Sequence, residues 1–126
     1  MQKSIVESDA APQAIGPYSP AVWAGDLLFV SGQTPIDPAT GAVVAGSAAD
    51  QLKQSLANVR AILKAAGLDL ENVVKTTVFV KDLSEFPAIN AAYANFFSPP
   101  YPARSCVEVA RLPKDVQVEV EVVAAR

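Results

Sequence analysis

Val116-Gln117-Val118-Glu119-Val120-Glu121-Val122, close to the C-terminus, alternates apolar and polar residues with a period of two. Successive side chains of a strand point to opposite faces, so this segment reads as a strand with a valine face and a face carrying Gln117, Glu119 and Glu121. The valine face needs a cover, and helices supply it. Leu52, Leu56, Val59, Leu63 and Ala66 recur at spacings of four and three, which places one apolar stripe on a helix. Ser47 stands three residues before Asp50 in capping-box spacing, and Gly67 follows the last turn as a stop able to adopt the left-handed conformation. A second helix is expected from about Ser84, with Pro87 in its first turn and Phe86, Ile89, Tyr93 and Phe96 or Phe97 on its apolar side.

The remaining strands follow from composition and punctuation. Ala21–Ala24 and Leu27–Ser31 flank Gly25-Asp26, a two-residue hairpin signal. Asp37-Pro38-Ala39-Thr40-Gly41 is turn chemistry, and Val43-Val44 is expected to form a brief strand before the first helix. Val73–Val80, β-branched and aromatic through most of its length, reads as a central strand covered on much of both faces. Tyr101-Pro102-Ala103-Arg104-Ser105-Cys106-Val107-Glu108-Val109 reads as a buried strand with an arginine at its mouth. Arg104, Cys106 and Glu108 share one face, opposite Ser105, Val107 and Val109. The order β-β-α-β-α-β-β predicts an α+β domain, a mixed sheet with two helices packed on one face. The face with Glu119 and Glu121 is left to meet solvent, a ligand or another copy of the chain.

Counting residues removes whole classes of chemistry. The chain of 126 residues fits one domain, 1–126. With no histidine and one cysteine, histidine-dependent triads, histidine-ligated metals and cysteine-rich zinc sites are excluded. Ten basic residues against thirteen acidic ones give a net charge of -3, and no Lys or Arg run offers the footprint a phosphate backbone requires, so no nucleic acid is expected. Charge interrupts Met1–Glu7 too early for a secretory signal, and no apolar stretch of about 18 residues spans a bilayer, so no membrane association is expected. Cys106 alone cannot form an internal disulfide, which suits a reducing, cytoplasmic location. A phosphate-binding glycine loop of dinucleotide or P-loop type, a Gly-x-Ser-x-Gly elbow and a local acidic cluster for a carboxylate-held metal are all missing.

The residues left as candidates each have two readings. Arg104 either pairs with an acidic neighbour on the sheet or clamps a ligand carboxylate with its planar fork. The loop before it, Ser98-Pro99-Pro100-Tyr101-Pro102, is stiffened by three prolines. Glu119 is a surface or interface charge, or a catalytic carboxylate if it shares a cavity with Arg104. Cys106, without a histidine partner, reads as a small buried residue rather than a nucleophile. Tyr18, in Gly16-Pro17-Tyr18-Ser19-Pro20, is a lid aromatic or a loop anchor.

Five segments carry a resemblance over nearly the whole chain: Ala14-Ile15-Gly16-Pro17-Tyr18-Ser19, Leu28-Phe29-Val30-Ser31-Gly32-Gln33, Val74–Leu83, Ile89-Asn90-Ala91-Ala92-Tyr93 and Pro102–Asp115. In this order they resemble the successive signatures of the RidA family, also called the YjgF family. The resemblance implies a fold similar to bacterial chorismate mutase, a homotrimer, and active sites in clefts between subunits. It also implies hydrolysis of reactive enamine/imine acids, such as 2-aminoacrylate (2-iminopropanoate) and 2-iminobutanoate, to 2-oxo acids and ammonia. That reaction protects pyridoxal-phosphate enzymes and needs no cofactor or metal. Arg104 matches the family's carboxylate clamp and Glu119 its C-terminal glutamate, with the backbone carbonyl of Cys106 as a second acceptor. Tyr18, Ser31 and Asn90 match substrate-pocket positions. Two alternatives stand beside this reading: a non-catalytic 2-oxo-acid-binding or chaperone-like trimer that uses Arg104 to hold the acid, and the ribonuclease or translation-inhibitor role described for some relatives. Two departures border the implied pocket: Pro20 in place of a frequent glutamine, and the short Ser98-Pro99-Pro100 connection. Both bear on which side chains the pocket accepts.

Overall fold

The computed structural model describes residues 3–126, in which six strands form one sheet with two helices on one face. The strands are β1 (Ser4–Val6), β2 (Ala21–Ala24), β3 (Leu27–Gln33), β4 (Val73–Val80), β5 (Ala103–Glu108) and β6 (Val118–Ala125), and the helices are α1 (Ala48–Ala65) and α2 (Phe86–Ala94). The spatial order is β1-β2-β3-β6-β4-β5. All neighbours are antiparallel except β4 and β5, whose parallel pairing is made possible by the α2 crossover. The C-terminal strand β6 fills the gap between β3 and β4, and among the described residues it alone joins the two halves of the sheet.

The alternation of β6 divides the molecule into two sides. Val118, Val120, Val122 and Ala124 are buried under the helices, in register with Val80, Val78 and Thr76 of β4 and with Val30 and Leu28 of β3. From above, α1 delivers Leu52, Leu56, Val59, Ile62 and Leu63, all fully buried. Its ends form as their residues require. Ser47 and Asp50 exchange capping-box hydrogen bonds. At the C-terminus Gly67 takes φ +79 while its N–H and that of Leu68 bond the carbonyls of Lys64 and Leu63. Ile89, Tyr93 and Phe97 seat α2 and its exit in the same core. No helix among the described residues is long and apolar enough to cross a membrane.

The expectations that fail do so at the edges of the sheet. β1, a three-residue edge strand paired with β2, carries too short a pattern to be read from composition. Val43 makes only an isolated bridge to Ile36, because the Asp37–Gly41 turn folds this excursion back on itself. β4 is flanked by β6 and β5 as a central strand should be, but only one face is covered within the chain, and Val74 is exposed. The strand read as buried around Arg104 is the opposite edge of the sheet: β5 pairs on one side only, and Val107 remains 41% exposed. Phe29 and Val107 leave an apolar surface on the side away from the helices.

Because β6 joins the halves, Val120→Ala is expected to cost roughly 2–3 kcal/mol, the transfer of the lost carbons plus an unfilled cavity. Ser47→Ala should cost about 1 kcal/mol through the lost cap. Urea midpoints at fixed protein concentration with unchanged slope test both values, and equal losses in the two variants would contradict this ranking.

Candidate functional site

A cleft of about 790 Å³ opens where β3 and β6 meet the 9–20 loop and the turn after β3. It brings together three of the residues singled out from sequence, Tyr18, Ser31 and Glu119, with Gly32, Glu121 and Lys114 beside them. The loop has a defined shape: the Tyr18 N–H bonds the Gly16 carbonyl at 2.8 Å, and the Ser31 N–H bonds the Pro20 carbonyl at 2.9 Å. The Ser31 hydroxyl donates to the Ser19 carbonyl at 2.6 Å, so its proton holds the Tyr18 loop against the sheet. A β-bulge shapes the floor. Between the pairs Val30–Val122 and Gln33–Val120, two residues of β3, Ser31 and Gly32, lie opposite the single residue Glu121.

Sequence reading missed the residues that fix the cleft walls from behind. Asn58, 1% exposed on α1, donates to the carbonyls of Thr34 and Ile36 at 3.2 and 2.9 Å. Gln51 donates to the Val44 carbonyl and accepts the Gln117 N–H at 2.8 Å, tying the turn to the start of β6. Buried amides like these are kept because backbone groups need them. The signal was present: Gln51, Ser55 and Asn58 follow the same four-and-three spacing as the apolar stripe.

Electrostatics in the cleft are dominated by Glu119. It is half-buried, and burial pushes its carboxyl above the usual carboxylate range, with the charge of Glu121 adding to the rise. At the rim, Lys114 and Asp115 both take positive φ, +57 and +55, outside the comfortable range for side-chain-bearing residues. Arg111 braces this turn by a two-pronged contact to Asp115 at 2.8 and 3.2 Å.

Arg104 lies elsewhere, on edge strand β5. Across the sheet it is in register with Thr76, which pairs with Val122 on the helix-covered face, whereas Glu119 pairs with Phe79 on the open face. Within one chain the two residues therefore sit on opposite faces. The guanidinium stacks on Tyr93, 4.7 Å from the ring centre, and lies 5.4 Å from the centre of Phe86. Its Nη1 donates to Asn90 Oδ1 at 2.8 Å. Tyr93 is pinned from the far end by a buried 2.9 Å hydrogen bond with Thr76. Cys106 follows on the same face, its thiol pushed up by burial against the opposing pull of Arg104, which keeps it protonated and unreactive.

The chain has four arginines, and three are matched to an aspartate: Arg60 to Asp69, Arg111 to Asp115 and Arg126 to Asp26. Among the described residues Arg104 has no acidic partner. It is held by a neutral amide and two rings, with the rest of its fork unspent.

Comparison with known proteins places the whole chain. The family model described as endoribonuclease L-PSP matches residues 8–126. A 2-iminobutanoate/2-iminopropanoate deaminase of Salmonella typhimurium is 54% identical over 129 residues, covering 100% of this chain and 99% of that protein. Among solved structures, the YjgF gene product of E. coli superposes with a TM-score of 0.92 at 52% identity, covering 98% of each chain. E. coli TdcF with bound serine gives 0.92 at 49% identity, again over 98% of each chain. Full-length matches at this identity show that the chain belongs to the RidA family, the endoribonuclease L-PSP family of the matching model.

Proposed function

We propose that this protein is a 2-iminobutanoate/2-iminopropanoate deaminase, hydrolysing reactive imino acids to 2-oxo acids and ammonia and so protecting pyridoxal-phosphate enzymes from them. The observation that carries the reading is Arg104: a guanidinium with no acidic partner among the described residues, stacked and tethered so that its remaining N–H groups stay free for a carboxylate. The relative with bound serine, TdcF, holds a small amino acid. An imino acid carries the same carboxylate.

The separation of Arg104 from Glu119 shapes the rest of the proposal. A complete site forms between copies of the chain in a chorismate-mutase-like homotrimer, with residues 1–126 of each acting as one domain. One subunit supplies the cleft with Tyr18, Ser31 and Glu119, and the β5 edge of its neighbour supplies Arg104, Asn90 and the Cys106 carbonyl. The apolar surface around Phe29 and Val107 is the face on which the copies meet. A cytoplasmic location belongs to the same reading.

Chemically, a protonated imine is already electrophilic, so positioning and one proton relay suffice. Arg104 fixes the carboxylate. Glu119 accepts a proton from water as the oxygen bonds to the imine carbon, giving a carbinolamine. The same carboxyl returns the proton to the nitrogen, and as the C–N bond breaks the carboxylate takes the hydroxyl proton, so the carbonyl forms and ammonia leaves, carrying that proton away as ammonium. A carboxyl held above the usual carboxylate range by burial is suited to both transfers. The Cys106 carbonyl accepts a second hydrogen bond from the water. Asn90 acts through Arg104, whose fork it orients.

With the imino acid generated in situ by a dehydratase, wild-type protein is expected to accelerate oxo-acid release. Arg104→Ala should lose roughly 10–100-fold in kcat/KM, the worth of charge-assisted hydrogen bonds to a carboxylate. Glu119→Gln should lower kcat by about 10²–10⁴-fold. Equal rates with and without protein would overturn the assignment. Mixing the two impaired variants under subunit exchange should raise activity above that of either alone, and no rise would place both residues in one subunit's site.

The pH dependence has a definite sign. Proton acceptance needs Glu119 ionised, so the rate should fall with decreasing pH at a higher pH than an ordinary glutamate would give. For stability, a raised folded-state pKa means the carboxylate costs the fold most above that pKa and nothing below the unfolded-state value. Glu119→Gln should therefore be more stable than wild type at neutral pH, with the gain vanishing in acid. Thermal melts from neutral to acid pH test this, and a gain that grows in acid would contradict it.

A further inference from the structure

Gly32 is a glycine without a backbone reason. Its φ lies outside the left-handed region, unlike those of Gly25, Gly41, Gly46 and Gly67, so any residue could adopt its conformation. What excludes a side chain is one neighbour. A methyl group built on Gly32 would collide with Glu119 Oε2, lie 2.8 Å from its Cδ and 3.2 Å from its Cγ, and no other residue is among the three nearest atoms. The carboxylate thus occupies the space that a Cβ at position 32 would fill. The bulge creates this approach by placing Ser31 and Gly32 opposite one residue of β6, so that both line the cleft beside Glu119.

We propose that Gly32 is a positioning residue of the deaminase reaction: the bulge and the missing side chain together form the seat that holds the Glu119 carboxylate at its working place. This rests on the reading of Glu119 as the proton-transferring group. The seat is steric, since half-buried Glu119 is positioned by what surrounds it more than by any partner named above. Filling the seat would push the carboxylate aside by about an ångström or more, a displacement on the scale that costs roughly 100-fold in rate when a reacting group is involved. The substrate's carboxylate, held by Arg104, would be left in place, so the loss belongs in kcat and not in KM.

The geometry also dictates a compensating change. Glu119→Asp ends its side chain one carbon earlier, with the carboxyl carbon near the present Cγ, 3.2 Å from a methyl on Gly32, a tight contact that a small shift and a turn of the shorter carboxyl plane relieve. The shorter acid therefore fits beside the methyl group. Four chains test the proposal: wild type, Gly32→Ala, Glu119→Asp and the double variant, each assayed for oxo-acid release and for thermal midpoint. Gly32→Ala is expected to lower kcat by about 10–100-fold with little change in KM when Glu119 is present. In the Glu119→Asp background the same change should cost less than about threefold, within ordinary non-additivity. The thermal midpoint should drop on Gly32→Ala with Glu119 and recover in the double variant. A Gly32→Ala chain that fails to fold while the double variant folds supports the seat equally. Equal costs in both backgrounds, no effect on the wild type, or failure of both to fold would overturn it. The midpoints stand apart from the assay: if wild type releases no oxo acid, the deaminase reading fails, while the midpoints still decide whether Gly32 seats Glu119.

Discussion

The sheet of this protein is continuous only because its last strand closes it. β6 bonds β3 on one side and β4 on the other, and among the described residues no other strand connects the β1-β2-β3 half to the β4-β5 half. Its alternating residues must then satisfy two environments at once. The valines complete the core under α1 and α2, and the glutamates fall on the open face because a period of two leaves them nowhere else. A one-residue slip would bury Glu119 and Glu121 beneath the helices, where an unpaired carboxylate is prohibitively costly. Burial of the valine face thus fixes where the acid of the site stands.

The same constraint accounts for the distance between the acid and the arginine. Arg104 is on a strand one place beyond β4, in register with residues of the covered face, and at the edge its long side chain escapes burial by lying over Phe86 and Tyr93. Its charge is stabilised by ring faces and by the Asn90 amide rather than by a carboxylate. A carboxylate partner would have neutralised it as Asp69, Asp115 and Asp26 do for the other arginines. Glu119 is the counterpart: an acid raised by burial and by the charge of Glu121, with no salt bridge among the described residues. Each half of the proposed site is left electrostatically incomplete within one chain, and the two are complementary to a zwitterionic substrate and its water.

Rigidity around the cleft comes from backbone groups held by buried amides. Asn58 and Gln51 reach out of α1 to the turn after β3 and to the entry of β6, and Ser31 holds the Tyr18 loop. The helix that covers the core is therefore also the element that fixes the cleft walls. Loops tied down in this way can present ligand-binding groups without paying their ordering entropy again on binding.

The local elements were legible in the sequence because each depends on neighbours along the chain. The Ser47–Asp50 box, the Gly25-Asp26 turn, the α1 stripe and the β6 alternation are patterns a few residues long, and the structure contains each of them. The ordered signatures around Tyr18, Ser31, Asn90 and Arg104 likewise identified the family from the chain alone. What the sequence could not decide was adjacency. Whether β5 lies inside the sheet or at its edge, that β6 inserts between β3 and β4, and that Arg104 and Glu119 end on opposite faces all depend on contacts between residues far apart in the chain. Those contacts are chosen by the packing of the whole core, and only the tertiary structure records the choice. The space at Gly32 is of the same kind: a glycine in sequence, it becomes the seat of a carboxylate only when β6 is laid beside the bulge.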